Sequence, residues 1–325
     1  MTNHYCCLFD RNYSVKGVSM LRSLRKFDPE AKIFVLALDL YTERLLLSFN
    51  IHNVRVFSLN EIEDHNVEVA RSNRSVVEFY WTLSSVFTSY VYDYLSGNFA
   101  SLTYLDSDIF FYASPQTIFS QLVDGSSCII TPHNFSKRLM DREVNGKFCV
   151  QWVTFVNNDV GRQILHDWRR DCLDWCYYRL EDGKMGDQKY LDYWPANYDG
   201  VVILKNIGVG VAPWNYEDLY FKKVDGSILV NGQTLIFYHF HQFTHIGLGR
   251  FDRISKFYSD YMRVPEEVYG LYEAEIDHNF VCIEKVMAEK PYALNLGGAI
   301  QVRMRRFAQN YLPGAFKDKI RRYFL

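Results

Sequence analysis

The chain has 325 residues and a formal net charge of -2, so charge offers no case for nucleic acid as a partner. Aromatic residues make up 17% of it, a content that serves cores and interfaces and also suits stacking on a sugar or a base. No run reaches the ~18 apolar residues of a membrane span, the first residues lack the basic and apolar regions of a signal peptide, and seven cysteines without regular spacing read as reduced thiols and small hydrophobes, so a cytoplasmic protein is expected.

Residues 4–9 form an apolar strand candidate, followed by a polar turn, and from Ser14, read as an N-cap, Val15, Val18, Leu21, Leu24 and Phe27 recur at helical spacing until Asp28-Pro29. Residues 32–38 read as a fully buried strand. Strand, helix and strand in that order predict a right-handed crossover in a parallel sheet, with ligands gathering beyond the carboxyl ends of its strands. Phe9, Asp10, Tyr13 and Asp39 are thereby expected around one pocket.

A helix over 43–50, a strand over 54–59 and a long aromatic-rich helix over 75–95 follow, with Arg71 and Arg74 just before the last, where a guanidinium can donate paired bonds to a diphosphate. Residues 101–112 are an apolar run broken at its centre by Asp106 and Asp108. Aspartate is a poor strand former and is rarely buried unpaired, so two of them need a partner, and a divalent cation is the obvious one. On a persisting strand, residues i and i+2 share a face and both carboxylates converge; the plainer alternative is a Leu-Asp-Ser-Asp turn in which they cap backbone groups.

A short helix after Ser114-Pro115 comes next, then strands over 127–131 and 148–156, separated by an aperiodic polar segment, 133–147, expected to be a mobile loop over the site. A helix over 159–180 carries Trp168 and Trp175, and Gly186 and Asp187 suit the turn and cap before a short helix. Residues 208–215 hold glycines without a phosphate-loop context. Residues 233–243 read as a strand with His239 and His241 on one face, and the pattern turns helical from Arg250. The last stretch, 301–325, sets Arg303, Arg305, Arg306, Lys317, Lys319, Arg321 and Arg322 against Asp318 among apolar residues, a basic amphipathic tail of the kind that lies on anionic membrane surfaces.

A Rossmann-like first half, Tyr-Leu-Asp106-Ser-Asp108 at a strand end, Gly-Asp187-Gln188-Lys-Tyr-Leu-Asp, and a late His-Phe-His together resemble the GT-A glycosyltransferases, most of all the branch containing glycogenin and bacterial lipopolysaccharide galactosyltransferases. The resemblance spans residues 4–245. It implies an α/β fold with a Rossmann-like, mostly parallel central sheet flanked by helices. A nucleotide-sugar-binding catalytic domain over 1–249 and a helical C-terminal extension with the basic tail over 250–325 are expected. By the same resemblance Asp106 and Asp108 bind Mn²⁺ or Mg²⁺ on the diphosphate of a nucleotide sugar, UDP-sugar foremost. His239 supplies a third ligand, with His241 as the alternative. Asp187 and Gln188 line the donor-sugar and acceptor side, and Phe9, Asp10 and Tyr13 hold the base.

The implied activity is metal-dependent hexosyl transfer to a saccharide or lipid-linked saccharide, in bacterial surface polysaccharide assembly, by a cytoplasmic enzyme peripheral to the inner face of the membrane. Two features of the family are missing: the histidine followed by glycine and Lys-Pro-Trp, and a basic residue on the helix before the Asp-x-Asp strand, which here carries Glu78. Rival classes are a sugar-nucleotide nucleotidyltransferase, whose glycine-rich basic loop Asp10-Arg-Asn-Tyr-Ser does not supply, a catalytically silent carbohydrate-binding scaffold, and a metal-dependent phosphodiesterase or glycosidase.

Overall fold

Strand β1 (His4–Phe9) is buried along its whole length and alternates between two cores: Cys6 and Leu8 face one side, Tyr5, Cys7 and Phe9 the other. In the computed structural model, which describes residues 2–255, 257–258 and 264–292, it is followed by α1 (Ser14–Phe27), β2 (Lys32–Ala37), α2 (Leu40–Phe49) and β3 (Val54–Ser58). Both strand pairs are parallel. The expected N-cap role of Ser14 is not observed. A 3-10 turn, Arg11–Tyr13, leads straight into the helix, and Ser14 Oγ donates to Arg11 O instead.

Short helices α3 (Leu59–Ile62) and α4 (His65–Asn73), which the sequence pattern does not announce, precede α5 (Val76–Tyr94). Ser75 and Glu78 form a capping box at the start of α5, which satisfies donors that a helix N-terminus otherwise leaves open. Then come β4 (Ser101–Leu105), β5 (Ile109–Phe111), α6 (Gln116–Phe119), β6 (Cys128–Pro132) and β7 (Phe148–Val156). Helix α7 (Asp159–Asp174) is shorter than its pattern predicts, because Trp175 is already extended, and α8 (Trp194–Asn197) and β8 (Val201–Ile203) follow.

The central sheet has seven strands in the order β3-β2-β1-β4-β7-β6-β8, and only β7 runs against the rest. Side chains of α5 and α7 pack with Cys6 and Leu8 on one face, and those of α1 with Tyr5, Cys7 and Phe9 on the other.

The remaining strands are β9 (Phe221–Val224), β10 (Ser227–Val230), β11 (Gln233–Thr234), β12 (Phe237–His239), β13 (Thr244–Gly247) and β14 (Arg250–Asp252), before the long helix α9 (Glu266–Met287). Residues 233–243 are therefore two short strands and a turn, not one strand. The chain does not turn helical at Arg250 either. That residue opens the second arm of the β13–β14 hairpin, so the expected boundary after 249 falls inside a hairpin. Val268, Tyr272 and Ile276 of α9 share a core cluster with Val15 and Val18 of α1, which joins the helix to the sheet domain. The basic tail, 301–325, lies outside the described residues. Among the described residues no helix is long and apolar enough to cross a membrane.

Candidate active site

The strand carrying the two aspartates does not persist. It ends at Leu105, and Asp106, Ser107 and Asp108 form a turn, so it is the turn and not the strand pleat that brings each carboxylate to His239. The turn is pinned from three sides: Ser107 Oγ donates to Leu8 O at 2.5 Å, Asp106 N to Gln151 O at 3.2 Å, and Phe240 N to Asp108 O at 2.8 Å. Beyond it β5 leaves the main sheet and pairs antiparallel with β12, in a register that sets His239 opposite Ile109. That register brings the late histidine beside the aspartates.

His239 is 3% exposed. Its Nε2 lies 2.9 Å from Asp108 Oδ1 and 3.8 Å from Asp106 Oδ2, and its Nδ1 is 2.9 Å from Gln151 Oε1. An amide oxygen only accepts, so Nδ1 carries a proton and Nε2 is the nitrogen turned toward the carboxylates. Nε2 in that position needs either a second proton or a cation between it and the acids.

The charges agree with this. Burial pushes His239 down, but the charge of Asp108 and its hydrogen bond reverse the shift and hold the imidazole above its ordinary value. Burial likewise pushes Asp108 up, yet His239 and the Lys16 ammonium, 3.9 Å away, hold it well below the usual carboxylate range. Burial, reinforced by Asp108 and opposed by His239, raises Asp106 to about 6. His241 falls to about 4 through burial and the neighbouring His239 charge.

Among the described residues, two sets of three donor atoms each lie within 4.8 Å of one another: Asp108, His239 and His241, and Asp106, Cys149 and His239. Carboxylates with imidazole whose other nitrogen is fixed by an acceptor are a donor set that fits a divalent cation.

Gln151 and Cys149 reach this pocket because β7 is bulged. Ile130 pairs with Val153 but Thr131 with Cys149, so extra residues of β7 stand opposite one step of β6. The side-chain alternation shifts there: Val150 and Val153 share one core, although unbroken alternation would put them on opposite faces. The loop 208–215 closes the back of the pocket. His239 N donates to Val211 O at 2.8 Å, and Trp214 packs edge-on against both histidines. Gly210 lies at φ +76, where a Cβ would meet Thr131 Cγ2 at 2.7 Å and Gln151 Nε2 at 2.9 Å, so glycine lets the loop approach.

Asp187 is 8% exposed and accepts from Ser84 Oγ of α5 at 2.8 Å, while Trp168 Nε1 donates to its carbonyl at 2.9 Å. Burial, with the Asp106 charge adding to it, raises its carboxyl to about 7. It is thus a buried acid rather than the helix cap its sequence context suggests. Gln188 Nε2 donates to Asn145 O at 3.0 Å. The segment 133–147, expected as a mobile loop, contains a 3-10 stretch, Lys137–Asn145, tied down at both ends: Lys137 N donates to Asp218 Oδ2 and Lys147 N to Asp192 Oδ1, each at 2.8 Å.

The other predicted site residues divide. Tyr13 is at the rim, with Lys16 Nζ 4.4 Å from its ring centroid. Asp10 Oδ1 accepts from Tyr13 N at 3.1 Å and Oδ2 lies 3.4 Å from the Tyr80 hydroxyl. Asp39 caps α2 through Thr42 N and also accepts from Arg11 N, both at 2.7 Å. The Phe9 side chain is not presented to a base: it is 2% exposed and its ring lies under α1 against Gly17, the face that the strand pleat assigns to position 9. Arg74 is not free for a diphosphate, because its guanidinium binds Thr82 Oγ1 and Leu173 O, joining α5 to the end of α7.

Lys16, Ser84, Cys149 and Gln151 escaped the sequence reading. Only Gln151 left a trace there, as an amide in the middle of an apolar strand.

No family model matches the chain. It is 29% identical to the uncharacterized Bacillus subtilis (strain 168) protein YfnF over 265 residues, 79% of this chain and 86% of that one. To the uncharacterized protein YfnD of the same organism it is 30% identical over 246 residues, 75% of this chain and 78% of the relative. The chain belongs to the YfnD family. Among solved structures, the fold of this chain is similar to that of the galactosyltransferase LgtC in complex with donor and acceptor sugar analogs, with a TM-score of 0.50 at 14% identity over 85% of this chain and 95% of that one. This YfnD-family chain therefore has the GT-A glycosyltransferase fold, with its mostly parallel sheet and flanking helices.

Proposed function

We propose that the protein is a metal-dependent glycosyltransferase, moving a sugar from a nucleotide diphosphate, UDP foremost, to a saccharide or lipid-linked saccharide acceptor. One observation carries this reading: Asp106, Asp108 and His239 Nε2 converge beyond the carboxyl end of β4, with the other ring nitrogen held by Gln151. That is where open α/β sheets place their ligands. The fold similarity supports the class, and LgtC was solved with donor and acceptor sugar analogs.

Mn²⁺ or Mg²⁺ held by Asp106, Asp108 and His239 or His241 would supply Lewis-acid stabilisation of a departing diphosphate. The chain's own groups do the rest. Lys16 adds positive charge beside Asp108 and takes the place of the basic residue missing from the helix before β4. We assign Tyr13 and Asp10 to the side that holds the base, with Asp39, the cap of α2, accepting from Arg11 N between them. Asp187 and Gln188 are assigned to the donor-sugar and acceptor side, where a carboxyl raised to about 7 can hold or release a proton near neutrality. Bacterial surface-glycan assembly at the inner face of the membrane, with the basic tail as contact, is the setting that we assign.

Calorimetry with UDP, with and without Mn²⁺, tests the reading: binding heat should depend on the metal. Asp108→Asn should lower nucleotide-sugar turnover by about 10³-fold, the scale of several kcal/mol of charge stabilisation, with the fold intact. Metal-independent UDP binding together with full turnover in that variant would refute it.

A further inference from the structure

Cys149 has no role in the function just described, yet it is 5% exposed and its Sγ lies within 4.8 Å of ligand atoms of both Asp106 and His239. The three donors come from separate elements: the turn after β4, the bulged strand β7 and the end of β12. The same bulge that aims Gln151 at His239 accompanies Cys149 to this face.

A thiolate, an imidazole and a carboxylate form a softer set than the carboxylate and two imidazoles at Asp108, because only the first holds sulfur. Sulfur ligands select Zn²⁺, whereas carboxylates and water suit Mg²⁺ and Mn²⁺. The two sets share His239, so one ion at the sulfur set removes that histidine from the other.

We propose that Cys149, Asp106 and His239 form a zinc-binding set overlapping the catalytic metal site, so that Zn²⁺ competes with the metal that supports transfer. The inference rests on the metal reading above. On binding, Cys149 gives up its S–H proton to solvent and the sulfur lone pair bonds to the ion; no oxidation is involved. The functional consequence is a transferase that Zn²⁺ turns off and a chelator restores.

Co²⁺, a coloured stand-in for zinc, tests this on the full chain. The wild type should show visible d–d bands together with a near-ultraviolet thiolate-to-cobalt charge-transfer band, and stoichiometric Zn²⁺ should remove both. Cys149→Ser should lose the charge-transfer band and bind Zn²⁺ about 10–100-fold more weakly, the scale of a lost metal-site partner. Cys282→Ser should keep the band. It controls for the half-buried thiol whose Sγ is 3.5 Å from His278 Nε2. A band that survives in Cys149→Ser overturns the proposal. So does a wild type with d–d bands and no charge-transfer band, a result that needs no variant to fold and leaves the metal site itself standing. A wild type that binds no Co²⁺ at all removes both readings.

Discussion

Two buried histidines, each beside an aspartate, meet different fates in this molecule. His239 Nε2 is 2.9 Å from Asp108 and His245 Nε2 is 3.1 Å from Asp277, and both rings are packed among aromatics. Around His245 there is one carboxylate and one hydroxyl and, among the described residues, no second metal-ligating group. The Tyr292 hydroxyl lies 2.8 Å from its Nδ1, and Asp277 Oδ2 accepts from Gly249 N at 2.8 Å, so the cluster ties α9 and residue 292 to the β13–β14 hairpin. Around His239 acidic and coordinating groups are in excess: Asp106, Cys149 and His241 crowd the same few ångströms, and Asp187 is close enough for the Asp106 charge to act on it. A buried His–Asp contact is therefore no sign of a site by itself. A surplus of donors without matching protons is, because burial makes that surplus costly unless a ligand offsets it.

The largest test of this contrast is the pH dependence of stability without added metal. Asp187 moves from 3.8 to about 7 on folding. The folded chain thus holds that proton more tightly, and the stability gained is fully present below about pH 4 and lost as pH rises through 7, a change of about 4 kcal/mol at most. Chemical denaturation from pH 5 to 8 should show the fall, and Asp187→Asn should flatten it. An unchanged slope in that variant would show that the acid excess lies elsewhere.

Next in size, Gln151→Leu removes the acceptor that orients His239 and should weaken Mn²⁺ binding by about 10–100-fold in calorimetry while leaving the melting cooperative. An unaltered affinity would reduce Gln151 to packing. The smallest effect belongs to the closed cluster: Tyr292→Phe should cost about 1 kcal/mol in denaturant titration and leave Mn²⁺ affinity untouched. A loss of metal affinity there would erase the distinction between the two histidines.

Much of the frame was legible in the chain because its signals are local. The spacing of Val15, Val18, Leu21 and Leu24 predicts α1, the aromatic-rich stretch 75–95 predicts α5, and the apolar run at β1 and the one at β2 give parallel neighbours. Local reading failed where the chain changes direction without a composition shift. The apolar pattern continues through Asp106 and Asp108 and through 233–243, and helical spacing continues past Trp175 and resumes at Arg250, although the strands and helices there do not.

The sequence by itself determined that two aspartates interrupt a buried strand end and that histidines follow far downstream, since charge inside an apolar run demands a partner wherever it is. Tertiary structure alone decided which partner. The Ile109–His239 register selects the histidine at the aspartates, the bulge in β7 delivers Gln151 and Cys149, and the start of α1 delivers Lys16. Those choices depend on strand register and bulge position, which are set by packing between whole strands and not by the propensity of any local stretch.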